Sequence, residues 1–414
     1  MGLGQRDMQL VERHKIKPSH QFWQQIDKLC FLSKNLYNYA NYQVRQSFIF
    51  ERVYLGYNQL YHLVKGTPDY KALPAKVSQQ VLRLLDKNWK SFFEANKAYK
   101  LTPNKFKARP KLPKYKDKTN GRNLLIYTIQ AISKTNLKKG KIKLSGTNIC
   151  LPTQVSNIRA ARIVPKTGQY VVEIVYQREE NYTATNKEAI AAIDIGVNNL
   201  AALTSNKSGF IPVLVNGRPL KSLNQLYNKT KAKLQSLLSV KQKTSKRIQQ
   251  LTRKRNNQVD TYLHKASLWI INHLDKQGIG KLIIGNNPGW KQSVNLGKQV
   301  NQSFTAIPHS RLIEMLVYKS NLVGIEVIVR EESYTSRASF LSLDPIPNYG
   351  DDVKDIKFSG YRKSRGMYKQ LGSKTHINSD LNGSYNILRK AIPGIFNGRG
   401  IEGVVVRPVK ITFN

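Results

Sequence analysis

Glu331 and Glu332 stand side by side at the end of the apolar run Gly324-Ile325-Glu326-Val327-Ile328-Val329. The chain carries 25 aspartates and glutamates against 68 lysines and arginines. Two adjacent carboxylates where a strand opens into a loop therefore need a reason. Asp194 ends a second apolar run, AIAAID, and is followed by Gly196 and the turn formers Asn198 and Asn199. A carboxylate left unpaired among Ala and Ile would cost several kcal/mol of desolvation, so Asp194 either caps that turn or holds a cation. Asp380 opens INSDLNGSYNILRKA, where an aspartate serves as a helix N-cap or as a ligand. Side chains alternate across a sheet, so only one of Glu331 and Glu332 can share a face with Asp194. Two carboxylates from strands and a third from a helix, a ligand set of hard oxygens without Cys or His, suit Mg²⁺ or Mn²⁺. Two such ions, roughly 3.5–4 Å apart, would activate water and stabilise the leaving oxygen of a phosphodiester.

The elements that must position these acids are read from periodicity. Strands are expected at AIAAIDIG, LAALTS, FIPVLVNG, KLIIGNN and GIEVIVRE, with a helical hairpin from Lys221 to about Gln277 and a terminal helix at Asp380. Together they form an open α/β sheet whose edge would gather the acids. Upstream, QLVERHKIK reads as a short strand and residues 21 to about 100 as helices. Their aromatic stripe, including Tyr37, Tyr39, Tyr42 and Trp89, suits either base stacking or core packing. Residues 103–122 form a Pro- and Lys-rich connector in which Lys105, Lys107, Arg109, Lys111 and Lys114 could meet phosphates. KIKLSGTNICLP, IRAARIVP and YVVEIVYQ then alternate as antiparallel strands and suggest a small β-barrel split around the helices. In the hairpin, Lys246, Arg247, Arg253, Lys254 and Arg255 have few acids at i,i+4 and should face a polyanion.

Charge narrows the function classes. The formal net charge is +43 over 414 residues and the pI about 10.2. Self-repulsion of that size calls for a polyanionic partner, and nucleic acid fits through counterion release. No apolar run of 18 or more residues could span a bilayer and no apolar signal segment opens the chain, so a cytoplasmic, nucleoid-associated protein that leaves membranes alone is expected. Cys30 and Cys150 can form neither a disulfide framework nor a CxxC zinc site. The 7 histidines show no HxH or HExxH spacing, which disfavours a His-based metal site.

AIDIGVNNLAALTS, KLIIGNNPGWKQ, EESYTSRASFLSLDPIP and INSDLNGSYNILRKA, with HKIKPSHQFWQQIDKLCFLSKNLYNYANY near the start, resemble TnpB. TnpB is the OrfB-type protein of bacterial insertion sequences and a relative of the type V CRISPR effectors. The resemblance covers nearly the whole chain and implies an RNA-guided DNA endonuclease with a guide RNA and target DNA as partners. It implies a multidomain α/β fold: a RuvC-like nuclease of RNase H fold (residues 186–332 and 374–414), a wedge-like β-barrel (1–20 and 111–185), a helical recognition lobe (21–110), and a target-nucleic-acid-binding insertion (333–373). Asp194 matches the first RuvC acid and Asp380 the third. The second acid usually ends the strand equivalent to KLIIGNN, where this chain has Gly285. Glu332 is the expected replacement, with Glu331 in reserve, as in a subgroup that moved this glutamate to the next strand. Asp194, Glu332 and Asp380 would then hold two Mg²⁺ or Mn²⁺ ions. The family's zinc ribbon would begin near Ser339 and Ser342, where no cysteine stands. That insertion should fold without zinc by packing Phe340, Leu341, Ile346, Tyr349, Phe358 and Tyr361. The alternatives are an RNA-guided binder that does not cut, a CRISPR-associated effector, or a plain RNA-binding nucleoprotein. Strand transfer itself would fall to a separately encoded transposase.

Overall fold

In the computed structural model, which describes residues 8–178, 188–240, 242–287, 306–352, 355–364, 366–372, 375–396 and 406–413, the chain divides into two units, Met1–Glu179 and Glu180–Asn414. The expected boundary at 185/186 and the Pro288–Gln292 end of the KLIIGNNPGWKQ motif lie outside the described residues.

The first unit runs β1 (Met8–Ile16), α1 (Trp23–Gln46), α2 (Tyr57–Val64), α3 (Pro68–Lys71), α4 (Ala75–Leu101), β2 (Leu125–Thr128), α5 (Lys134–Lys138), β3 (Lys141–Lys143), β4 (Cys150–Pro152), β5 (Ile158–Lys166) and β6 (Gln169–Arg178). The strand order is β1-β6-β5-β2, all antiparallel, and β3 pairs with β4 as a separate hairpin. The sheet does not close into the expected barrel among the described residues. Its apolar face (Tyr127, Ile163, Val172, Ile174) is covered by Leu36, Ala40, Leu85 and Trp89 from α1 and α4. A face already buried by helices gains nothing from closing on itself. The aromatic stripe divides accordingly. Tyr37 and Trp89 are core residues, Trp89 donating its indole N–H to Asn41 Oδ1 at 3.0 Å, while Tyr42 is 48% exposed.

The second unit runs β7 (Ile190–Asp194), β8 (Asn199–Ser205), β9 (Val213–Asn216), α6 (Arg218–Ser236), α7 (Lys246–Lys276), β10 (Lys281–Gly285), α8 (His309–Leu322), β11 (Glu326–Arg330), β12 (Gly360–Ser364), β13 (Met367–Gln370), β14 (His376–Asn378), α9 (Ser379–Ala391) and β15 (Val409–Ile411). The order of the larger sheet is β11-β10-β7-β8-β9-β15. β7, β8 and β9 meander antiparallel, whereas β10 and β11 run parallel to β7 and β15 runs parallel to β9. Strand parity assigns the faces. Ala191, Ile193, Leu282 and Ile284 pack with α7 and α8, and Ile190, Ala192 and Ile283 pack with Leu381, Tyr385 and Leu388 of α9. Asp194 and Gly285 follow Ala192 and Ile283 by two residues, so both belong to the α9 face.

Within residues 333–373, β12 and β13 pair antiparallel, and β14, just beyond, completes a small antiparallel sheet in the order β12-β13-β14. Phe340 is fully buried and stacks on Tyr385 with ring centroids 4.3 Å apart. The expected packing list needs correction: Tyr349 and Tyr361 are 84% and 47% exposed, and Tyr368, at 1%, supplies the buried ring. A hydrogen-bonded knuckle ties this segment together. Asp344 Oδ2 accepts from the Ser339 and Ser359 amides at 2.7 and 2.8 Å, and Ser339 Oγ accepts from Ser342 N at 3.2 Å. Asp344 is 4% exposed, so its loss strands two buried amides. Asp344→Ala should destabilise this segment by about 3 kcal/mol, read as faster amide exchange at Ser339 and Ser359. A zinc chelator should leave the same amides unchanged.

Candidate active site

Asp194 Oδ2 lies against α9 at Gly383, where an added Cβ would stand 2.5 Å from it. Any side chain at 383 would push the helix off the carboxylate. Ser384, the next residue, fixes the approach by donating to the Ala192 carbonyl of β7 at 3.0 Å and sharing a 2.9 Å hydrogen bond with Thr204 of β8. Asp194 does not cap its turn. Backbone bonds from Gly196 N to Leu200 O and from Gly217 N to Asn198 O close that region. Burial, then the charges of Glu332 and Asp380, raise the Asp194 pKa well above the usual carboxylate range, with Arg362 opposing. The residue keeps some solvent contact, so the crowding is on its protein side.

Glu332 follows the end of β11, a strand two places from β7 in the sheet, and its charge is felt at Asp194. Neighbouring strands are about 4.8 Å apart, so its side chain must pass over the end of β10. Gly285 makes that passage possible: a Cβ there would lie 2.3 Å from Glu332 Oε2 and 2.5 Å from Ile387 Cδ1. The Glu332 amide is held by Asn287 Oδ1 at 3.2 Å, and its carbonyl accepts from Thr335 Oγ1 at 2.8 Å. Oε2 is buried and has no hydrogen-bond partner among the described residues. Burial first and Glu331 second push the Glu332 pKa up to about 7, against the pull of Lys390.

Glu331 turns elsewhere. Its Oε2 pairs with Lys390 Nζ at 2.6 Å, and its other oxygen accepts from Ser333 N. Burial opposes its ionisation, but Lys390 and Ser333 outweigh that and hold its pKa below the ordinary value. Lys390, itself 8% exposed, also donates to the Ser333 and Pro347 carbonyls. Of the two adjacent glutamates, one is thus neutralised by a buried lysine and the other lies over Gly285, its charge felt at Asp194.

Asp380 is not the N-cap of α9. Asn378 is, accepting from the Asp380 and Leu381 amides at 3.0 and 3.3 Å. The Asp380 carboxylate is thereby released to accept from Asn199 Nδ2 at 2.8 Å and to pair with Arg362 of β12 at 3.4 Å. The expectation that the acids close on one point needs correction, because among the described residues no group of three or more His, Cys, Asp or Glu could hold one ion. Like charges do not converge unaided, and Asp380 has taken Arg362. Asp194 nevertheless feels both Glu332 and Asp380. A middle acid with one partner on each side is the order a pair of ions would use. The donors fit Mg²⁺ or Mn²⁺: all are hard oxygens, Glu332 Oε2 is unpartnered, and two glycines clear the space around the carboxylates.

The family model of OrfB_IS605, a probable transposase, matches residues 171–291, and that of the Cas12f1-like TNB domain matches residues 309–387. Over these two stretches the chain is similar to OrfB_IS605 and to the Cas12f1-like TNB domain. Among solved structures, Cas12f1 in its complex with single-guide RNA and target DNA is similar at 14% identity and a TM-score of 0.51, covering 88% of this chain and 83% of that one. C2c1 of Alicyclobacillus acidoterrestris with single-guide RNA matches at 9% identity and a TM-score of 0.43, covering 89% and 70%. No curated protein matches the sequence. The multidomain α/β fold is thus similar to that of Cas12f1. The stretch matched by the TNB-domain family model contains both the hydrogen-bonded knuckle and the first turns of α9.

Several residues of this candidate site carried no chemical signal in the sequence. Asn382 and Asn386 of α9 bind the loop after Glu332: Phe340 N donates to Asn382 Oδ1, and both amides donate to the Ala338 carbonyl at 2.8 and 2.7 Å. Their signal was the spacing of NGSYN, one helical turn apart on the same face as Gly383. The cationic hairpin also needs one correction. Lys246, Arg247 and Lys254 are exposed, as are Lys105, Lys107, Arg109, Lys111 and Lys114 of the connector. Arg255 is instead committed internally, donating to Asn224, Asn256 and the Ala306 carbonyl. Its five donors suit a tie between helices better than a phosphate contact. Arg253 is half-buried.

Proposed function

We propose that the chain is an RNA-guided DNA endonuclease of a mobile element, cutting target DNA by two-metal phosphodiester hydrolysis. The observation that carries this reading is Glu332 Oε2, buried and unpartnered over Gly285, with its charge acting on Asp194. A chain that had lost cleavage would have no use for a second carboxylate rebuilt from another strand at a glycine-cleared crossing. The meander β7-β8-β9 with β10 and β11 parallel to β7 supports the RNase H-like reading of the nuclease domain.

Asp194, Glu332 and Asp380 would hold the ions, Asp194 between the other two. The bound Mg²⁺ or Mn²⁺ would supply Lewis acidity and a reactive water at a phosphodiester. The chain's own residues do the rest. Gly383 and Ser384 fix Asp194 against α9, Asn287 holds the Glu332 backbone, and Arg362 must release Asp380 for it to act as a ligand. Guide–target pairing would read sequence, while the cationic surface would bind backbone. The test is cleavage of a plasmid matched to the guide, using protein reconstituted with RNA transcribed from its flanking DNA. Mg²⁺-dependent cutting that survives a zinc chelator is expected. Intact plasmid at saturating guide and Mg²⁺ would leave the non-cutting binder as the reading.

A further inference from the structure

Residues 103–122 join α4 to β2, and their only regular piece is a short turn at Pro103–Lys105. A Lys- and Pro-rich stretch of this kind would ordinarily be a loose tether. Its backbone is instead tied to α1. Lys34 Nζ donates to the Lys118 carbonyl at 2.6 Å. Asn38 donates to the Lys116 carbonyl at 2.9 Å and accepts from the Lys116 amide at 2.8 Å. Asn41 and Arg45 both donate to the Pro113 carbonyl at 3.1 Å. Positions 34, 38, 41 and 45 fall on one stripe of a helix. The helix therefore holds the main chain, while Lys114, Lys116 and Lys118 keep exposed side chains. Tyr115, 44% exposed, lies with the Arg45 guanidinium 5.1 Å from its ring centroid.

We propose that this strap is a preformed rail for a single-stranded nucleic-acid segment. Lys114, Lys116 and Lys118 would meet phosphates and Tyr115 would stack on a base. The proposal rests on the nucleic-acid-binding part of the proposed function and not on cleavage. Three features select a single strand. Lys114 and Lys116 flank Tyr115, and Lys118 follows in the turn at 118–120, so three cations succeed one another along the strap, the Lys116 ammonium resting 5.3 Å from the Tyr37 ring centroid. The exposed ring between them needs a free base face, which a duplex hides and a single strand offers. A main chain already fixed by α1 spares the ordering cost of a loose cationic tail. Lys34, Asn38, Asn41 and Arg45 are positioning residues that act through the strap.

The test uses the full chain in EDTA with a 12-nucleotide 4-thiouridine RNA, the 4-thiothymidine DNA of the same sequence, and a 12-base-pair duplex. Photo-crosslinking should map to Tyr115 with the single strands and be lost in Tyr115→Leu. Substituting all three lysines, Lys114→Gln, Lys116→Gln and Lys118→Gln, should reduce the slope of log affinity against log salt by about 2, at about 0.7 per phosphate for a single strand. In the free protein the Lys116 amide should be protected, and Asn38→Leu should speed its exchange at least tenfold. A stronger RNA signal would assign the rail to the guide and a stronger DNA signal to an unpaired target strand, either one in support. Crosslinks absent from the strap, an unchanged salt slope, an unprotected Lys116 amide or equal crosslinking of the duplex would each overturn it. Because no metal is present, these outcomes are independent of whether the chain cuts.

Discussion

Asp194→Asn should lower target cleavage by on the order of 10³-fold or more while changing guide RNA affinity by less than about twofold. The size follows from its place: Asp194 is the acid that feels both Glu332 and Asp380, so its loss unseats both proposed ions together. The small effect on RNA follows from its being one charge among a net +43. Gly383→Ala should reproduce much of the loss with every carboxylate intact, because the new Cβ would stand 2.5 Å from Asp194 Oδ2. Matched rate measurements and RNA titrations on the two variants check this. Collapse of RNA binding in Asp194→Asn would make the residue structural.

Glu331→Gln and Glu332→Gln should separate in opposite directions. Glu332→Gln should cost on the order of 10³-fold in cleavage, yet stabilise the metal-free protein at alkaline pH. The Glu332 pKa is raised from an ordinary 4.5 to about 7 in the fold. The folded state therefore binds its proton more tightly than the unfolded one does. The resulting stabilisation is full below about pH 4.5 and is lost as pH rises through about 7. At pH 8 in EDTA, Glu332→Gln should therefore be more stable than the parent by about 2–3 kcal/mol, with the difference vanishing near pH 4. Glu331→Gln should behave inversely. Cleavage stays within about tenfold of the parent, but the buried Lys390 loses its counter-charge and stability falls by about 2 kcal/mol. Denaturant melts at pH 4 and 8 with single-turnover cleavage read both. Equal full activity in the two variants would dismiss the relocated glutamate.

The larger sheet was legible because β7, β8, β9, β10 and β11 are apolar runs bounded by Gly, Asn or charged residues, as buried strands usually are. β12, β13 and β14 were not. GYRKS, MYKQ and HIN are short and polar, and nothing in them alternates. The three-residue β15 is shorter still. Among the described residues the first sheet stays open; alternation shows that a strand has one buried face but not whether strands or helices bury it. Asn378 and Asp380 are both good capping types two residues apart, and only the non-helical backbone of Asn378 settles which one caps. The choice between Glu331 and Glu332 depends on Lys390, 59 residues away in sequence from Glu331, and on a glycine in another strand. No local pattern carries such information.

Helix α9 bears on three of these acids directly and on the loop that follows the fourth. It contributes Asp380, lays Gly383 on Asp194, grips the loop behind Glu332 through Asn382 and Asn386, and neutralises Glu331 with Lys390. It behaves as one rigid key with its teeth cut for four separate wards. A half-turn of error in its seating would misalign them all at once, so the site is either whole or wholly spoiled.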